Sequence, residues 1–388
     1  MLTERKLRSC LRRYWGLDDV SIAVHNGGMS SATWFISHNS SRWVAKAVAA
    51  EAGGQLTCAL QLAQRLEHAG INAGAPLPTC SGQLTLQLAD RWLAVLAWVP
   101  GRPLTGHDPA DRKLIGATLA KVHRALAGGD TEGAQRFHWV DPDAGYLSLR
   151  PWLRPAITAA LTTLDAADPA SMSWGLLHAD PAPGAFRLDP ATGACGIIDW
   201  SYFLHGPLLY DLASAVMYVG GPAPAVDLIE AYLQEGTLAR AEVDHGLTAM
   251  LRFRWAVQAN YFAWRIAKND LTGINDPDDN EKGLEDARRS LTFLAIGTIQ
   301  LGSAMLGGEC GHADGESSRR GLRRLRRGVC AERYLAGERR RRRRSIRHTA
   351  SAAGPAGRYH GSARAGCRMR RRLPGKSASG PWRSGDRN

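Results

Sequence analysis

The sequence predicts an α+β fold of two lobes: a small strand-rich lobe over residues 1–100, a larger helix-rich lobe over 101–302, and then a basic, disordered tail over 303–388. Three observations carry this. Strand-like alternation over residues 20–50 and two further strand runs over 84–99 mark the first hundred residues, apolar spacing of three and four dominates the next two hundred, and beyond Gly302 the periodicity gives way to Arg, Gly, Ser and Ala. With 44% hydrophobic and 22% charged residues, the 388-residue chain has the composition of a globular protein large enough for two or three cores.

Taken in order, a short N-terminal helix precedes strands over residues 20–50, with turn residues at Asn26-Gly27-Gly28 and Asn39-Ser40-Ser41. The run Ser41 to Ala50 is β-type with one lysine, Lys46, in its middle. A helix is predicted over 55–69, where Leu56, Leu60, Ala63 and Leu66 share a face. Residues 70–78 read as a loop and 84–99 as two strands ending at Pro100-Gly101. From Asp111 the pattern is helical to about Gly302, broken only by two short strands around Leu176–Trp200.

The net charge of +13 belongs to the tail. Residues 303–388 hold 22 Arg and one Lys against six acids, which leaves 26 basic and 30 acidic residues in 1–302, a net of −4. An Arg-rich tail binds nucleic acid or anionic membrane without sequence preference. It has no zinc pattern or helix-turn-helix, and no specific nucleic-acid partner is expected. The abrupt change of composition is also what an out-of-frame reading of a GC-rich gene would produce. Seven scattered cysteines without a C-x-x-C pair argue against a disulfide framework or zinc module. No apolar stretch approaches the ~20 residues of a spanning helix, and the expectation is a cytoplasmic protein with no transmembrane segment.

Several local signatures occur in one order: GGMSSATWFI, WVAKAV, VLAWVPGRPL, LIGATLAKVHRAL, LLHADPAPGAF, GIIDW and GPLLYDLASAVMY. Over residues 27–302 the chain resembles the aminoglycoside phosphotransferase family, kinase-like small-molecule phosphotransferases that include choline and homoserine kinases. The resemblance implies a two-lobed protein-kinase-like fold, ATP and Mg²⁺ as cofactors, and a small hydroxyl compound, an aminoglycoside or similar amino alcohol, as substrate.

The residues can be read chemically beside it. Phosphoryl transfer needs charge neutralisation and in-line positioning more than covalent help. Gly27, Gly28, Ser30 and Ser31 can form a turn whose N–H groups and hydroxyls face phosphates. Lys46, flanked by Trp43, Val44 and Val48, needs solvent or an anion, and the resemblance gives it the α- and β-phosphates. Ala97, Trp98 and Val99 resemble the hinge between lobes, where the backbone of Ala97 and Val99 would meet adenine. Asp180, two residues after His178, can orient an acceptor hydroxyl or take its proton. Asp199, before Trp200, resembles the acid that holds magnesium. His178 reads as a brace of the loop, His123 as packing, Asp211 as a cap or brace of the next helix, and Leu212 to Val219 as core.

Two departures stand against the family pattern. Ala185 occupies the place of an asparagine that supplies a second magnesium contact, and the helix over 55–69 offers no early glutamate to pair with Lys46. A nucleotide-binding pseudokinase is the alternative these gaps raise. For the acceptor, the acids from Asp227 to Asp286 suggest a groove for a polyamine-like compound. Arg252, Arg254, Trp255, Tyr261, Trp264 and Arg265, on one helix, suggest instead a pocket for a smaller or flatter alcohol.

Overall fold

The computed structural model describes residues 2–25, 31–129, 134–137, 140–200, 202–274, 276 and 278–306. The Gly28 and Ser30 of the predicted phosphate turn, and the basic tail from residue 307, lie outside the described residues.

Helix α1 (Glu4–Trp15) starts at Thr3, whose hydroxyl accepts from the Lys6 N–H, and stops at Gly16 in the left-handed region at φ 65°. Strands β1 (Ser21–His25), β2 (Ala32–His38) and β3 (Ser41–Ala49) follow. Helix α2 (Gly53–His68) then leads to β4 (Leu86–Gln87) and β5 (Arg91–Ala97). The five strands form one antiparallel sheet in the order β1-β2-β3-β5-β4. Leu7, Leu11 and Trp15 of α1 pack on Trp34, Ile36, Ala45, Ala47, Leu93 and Val95. Complete burial of a leucine such as Leu7 contributes about 1.5–3 kcal/mol.

On the opposite face of the sheet, Val48 and Ala94 meet Leu56 and Leu60 of α2. Lys46 lies opposite Ala94 in the β3–β5 register, on that same face. The start of α2 needs glycine, because a Cβ on Gly53 would fall 2.0 Å from the Trp92 indole nitrogen. The other side of α2, with Ala59, Leu62, Ala63 and Leu66, belongs to the helical core.

After Pro100 the chain passes Gly101, at φ 114° and so close to Leu188 O that a Cβ would sit 2.3 Å from it. Then come β6 (Arg102–Pro103), α3 (Pro109–Leu126), β7 (Gln135–Arg136), α4 (Leu153–Ala166), β8 (Trp174–Leu177), β9 (Phe186–Leu188), β10 (Cys195–Ile197) and β11 (Leu204–Pro207). Helices α5 (Leu209–Tyr218), α6 (Val226–Gln234), α7 (Arg240–Ala267) and α8 (Asp278–Leu306) complete the region. Helix α3 packs on α6, and α7 packs on α4, α5 and α8.

This region departs from the sequence expectation of two short strands. It holds two three-stranded sheets, β10-β9-β6 and β7-β11-β8, whose strands are too short to leave a readable alternation. The predicted helix over 55–69 begins two residues earlier, at Gly53. Among the described residues Cys10, Cys80 and Cys195 are free thiols, and no helix is long and apolar enough to cross a membrane.

Candidate active site

Several chain segments meet where the five-stranded sheet faces the helical core. From the sheet comes Lys46, whose Nζ lies 2.8 Å from Asp199 Oδ1, with the lysine side chain 14% exposed and the aspartate 65% exposed. The lysine therefore has a carboxylate beside it even though α2 carries no early acid. The acid of α2, Glu67, sits at its far end, where Oε1 accepts from the N–H groups of Ala73, Gly74 and Ala75. Asp199 adopts φ 74°, an unfavourable conformation for a non-glycine residue that persists only where the surroundings hold it.

The second segment is the loop after β8. His178 is buried and accepts the Asp180 N–H at Nδ1 (3.3 Å), while its Nε2 stands 3.0 Å from Ile198 O. With Nδ1 an acceptor, the ring hydrogen sits on Nε2 and is donated to Ile198 O. His178 thus ties the Asp180 loop to the residue before Asp199, and its ring lies edge-on to Trp200 at 4.7 Å. This agrees with its reading as a brace.

Asp211 is a brace and not a helix cap, since α5 has no side-chain cap and the carboxylate is turned to other segments. It lies in the first turn of α5, fully buried, and accepts from His178 N at 2.7 Å, Ala179 N at 2.8 Å and His123 Nε2 at 3.0 Å. Ala179 is held at φ 71°, and the bond to Asp211 fixes it there. His123 completes the chain through Nδ1, 2.7 Å from the Tyr232 hydroxyl, whose proton burial retains by pushing the phenol well above its ordinary range. His123 is therefore a buried relay of hydrogen bonds.

The partners of the Asp180 side chain, on two helices, were not legible in the sequence. Asp180 Oδ1 accepts from the Tyr218 hydroxyl and, at 3.3 Å, from Arg254 Nη2. Tyr218 ends α5, in a stretch read as core, and Arg254 lies mid-α7, in a stretch read as a pocket lining. The available signal was a polar position four residues before Tyr218, Ser214, and an arginine, Arg254, between Phe253 and Trp255. The six residues proposed to line a pocket do not act together: Arg254 and Arg265 are buried while Trp264 is 39% exposed. Arg265 is spent on Asn280, Tyr261 and the carbonyls of Asp270 and Thr272.

Of the remaining predicted residues, Ser31 bonds Thr33 through their hydroxyls at 3.4 Å. Ala97 ends β5 and gives its N–H to Ala75 O at 2.8 Å, and Val99 is buried. Ala185 ends the short 3₁₀ turn Pro183–Ala185, and its carbonyl accepts from Ile198 N at 3.0 Å. Asp189 does not replace the missing asparagine, since its carboxylate closes the β9–β10 turn on Ala191 N and the Thr192 hydroxyl. Among the described residues no three His, Cys, Asp or Glu side chains form a cage for a metal.

Residues 21–243 match the phosphotransferase enzyme family, APH. The chain belongs to this phosphotransferase family. Its solved structural relatives include a microcompartment-associated aminopropanol kinase (TM-score 0.59, 17% identity, 76% of this chain and 97% of that one). Amicoumacin kinase aligns with TM-score 0.58 and 14% identity over 74% of this chain and 92% of that one. Spectinomycin phosphotransferase aligns with TM-score 0.52 and 14% identity over 76% and 98%. At these identities the likeness establishes a kinase-like fold. Homoserine kinase of Xanthobacter autotrophicus is 31% identical over 166 residues, 39% of this chain and 49% of that protein. That of Gluconacetobacter diazotrophicus is 32% identical over 161 residues, 38% and 49%. The phosphotransferase-family chain thus spans about half the length of the curated relatives it matches.

Proposed function

We propose that the protein transfers the γ-phosphoryl group of ATP to a hydroxyl of a small amino alcohol. Lys46 takes the α- and β-phosphates, Asp199 the magnesium ion and Asp180 the acceptor hydroxyl. The observation that carries this reading is the Lys46–Asp199 pair at 2.8 Å, which joins residues 153 apart in sequence beside a loop that presents a second, half-exposed carboxylate, Asp180. A lysine, a metal-type acid and a hydroxyl-type acid on three separate segments are the parts that phosphoryl transfer needs.

In the proposed step, the acceptor oxygen bonds to the γ-phosphorus as the bond to the bridging oxygen breaks. The electron pair leaves on ADP, and the hydroxyl proton passes to Asp180. Magnesium, when bound, neutralises phosphate charge, and a single protein carboxylate with phosphate oxygens and water suits it. Asp199, exposed in the cleft, fits that part, while Ala185 adds no ligand atom. Ser31, together with Gly28 and Ser30, belongs to the proposed phosphate turn, and the Ala97 and Val99 backbone to the proposed adenine edge. A cytoplasmic setting with ATP as donor, and no specific nucleic-acid partner, completes the reading.

Homoserine and aminopropanol, named in two of the relatives, are hydroxyl compounds that bear an amine, which supports an amino alcohol as acceptor. Ala185 favours one second reading, a nucleotide-binding protein without transfer. Both are tested by ATP binding with and without magnesium, then transfer of labelled γ-phosphate to homoserine, aminopropanol, spectinomycin and an aminoglycoside panel. Magnesium-dependent binding with transfer, lost in Asp180→Asn and Asp199→Asn, is the expected result. Turnover unchanged in those variants refutes the assignment, and tight magnesium-indifferent binding without transfer selects the second reading.

A further inference from the structure

The contacts of Asp180 are divided between its two oxygens. Oδ1 receives the Tyr218 hydroxyl and Arg254 Nη2, whereas Oδ2 makes no hydrogen bond among the described residues. Its side chain remains 48% exposed while that of Arg254 is 9% exposed. A buried guanidinium is costly unless it is paired and its hydrogens are used. Arg254 gives Nε to Ser214 Oγ at 3.1 Å and Nη2 to the Tyr218 hydroxyl at 3.2 Å as well as to Asp180, with its guanidinium 5.7 Å from the Tyr218 ring centre. Ser214 and Tyr218 are four residues apart on α5, so one helix face presents both to α7.

The Asp180 carboxylate is left half open, and the backbone of its loop is already held by Asp211 through His178 N and Ala179 N. What Arg254 and Tyr218 add is a fixed orientation of the Asp180 side chain. Burial pushes the Tyr218 hydroxyl far above the ordinary phenol range, so its proton stays available for donation to Oδ1.

Resting on the phosphotransferase reading above, we infer that Arg254 and Tyr218 are positioning residues that clamp Oδ1 of Asp180 and reserve Oδ2 for the acceptor hydroxyl. Neither touches the reacting atoms; both act through the carboxylate. Because the transition state of phosphoryl transfer is loose, alignment of the nucleophile matters more than early removal of its proton, and misplacement of a reacting group by about 1 Å can cost 10²-fold.

The test is steady-state kinetics of the full chain with MgATP and homoserine, aminopropanol or spectinomycin, whichever is phosphorylated, for Tyr218→Phe, Arg254→Lys and the double variant. Tyr218→Phe removes one oxygen and Arg254→Lys keeps the cation, so folding is checked by thermal unfolding beside each assay. The expected result is kcat lowered about tenfold in Tyr218→Phe and about a hundredfold in Arg254→Lys, with the KM for MgATP within about twofold of wild type. Since both changes release the same oxygen, the double variant is expected to be little slower than Arg254→Lys alone. Unchanged kcat in either single variant, or KM for MgATP rising in step with the loss of kcat, overturns the inference alone. A wild-type chain that transfers phosphate to none of these acceptors and hydrolyses no ATP overturns the phosphotransferase reading, and the clamp with it.

Discussion

Asp211→Asn is expected to destabilise the protein by about 3 kcal/mol. The carboxylate accepts on both oxygens, His178 N and His123 Nε2 on Oδ2 and Ala179 N on Oδ1, with no exposure to water. An amide that keeps its oxygen at the Oδ2 position must turn its NH₂ toward the Ala179 N–H, donor against donor. The lost bond to a charged acceptor costs about 1.5–3 kcal/mol, and the loss of charge at the two remaining bonds about 1 kcal/mol more. Ala179, no longer held at φ 71°, would relax and carry Asp180 with it. At roughly 2–4 °C per kcal/mol for a folded region of this size, the midpoint should fall by about 6–12 °C. Thermal unfolding followed by circular dichroism measures this, and phosphoryl transfer should fall about 10²-fold in parallel. A midpoint within about 2 °C of wild type would mean that the catalytic-type loop does not depend on Asp211 for its shape, and the reasoning would be wrong.

Ala185→Asn should return a metal-ligand atom to the loop and lower the magnesium concentration needed for half-maximal transfer several-fold. A magnesium titration identical to wild type would show that position 185 does not face the metal. Gly53→Ala should destabilise by about 1–3 kcal/mol through overlap with Trp92, read as a lower urea midpoint; an unchanged midpoint would mean that the indole moves aside freely. The Arg102 guanidinium, 2.6 Å from Asp111, holds that buried carboxyl below its ordinary value of 3.8. A depressed native value means stability that is fully present above pH 3.8 and lost as pH falls through the native value. The stability gap between wild type and Arg102→Met should accordingly be larger at neutral pH than below that value, and a gap independent of pH would contradict the pairing.

Much of the architecture was readable because long elements leave long patterns. Strands β3 and β5 are apolar runs of nine and seven residues, and helices α3 and α7 extend over 18 and 28 residues. Strands β6, β7 and β11 span two to four residues, below the length at which a period can be seen. The meeting of Lys46 with Asp199 was legible only as far as ordered motifs imply a shared cleft; that one pairs directly with the other was not. Tyr218 and Arg254 lie 38 and 74 residues from Asp180; Tyr218 ends an apolar helix, where its ring looks like core, and Arg254 sits among the residues read as a pocket lining, with nothing local to name its partner. Asp211 read as a cap because its position at a helix start is local, while the N–H groups it serves lie 33 and 32 residues earlier.

Helix α2 joins the sheet on one side and the helical core on the other. Arg65 fastens it further by donating to Ala125 O at 3.0 Å, in the last turn of α3, and to Ala127 O at 2.7 Å, just past its end. Mechanically the helix works as a keel. A widening of the cleft that holds Lys46 and Asp199 would then slide packed side chains of the sheet and helical core across α2, a shear of small displacements rather than a free swing.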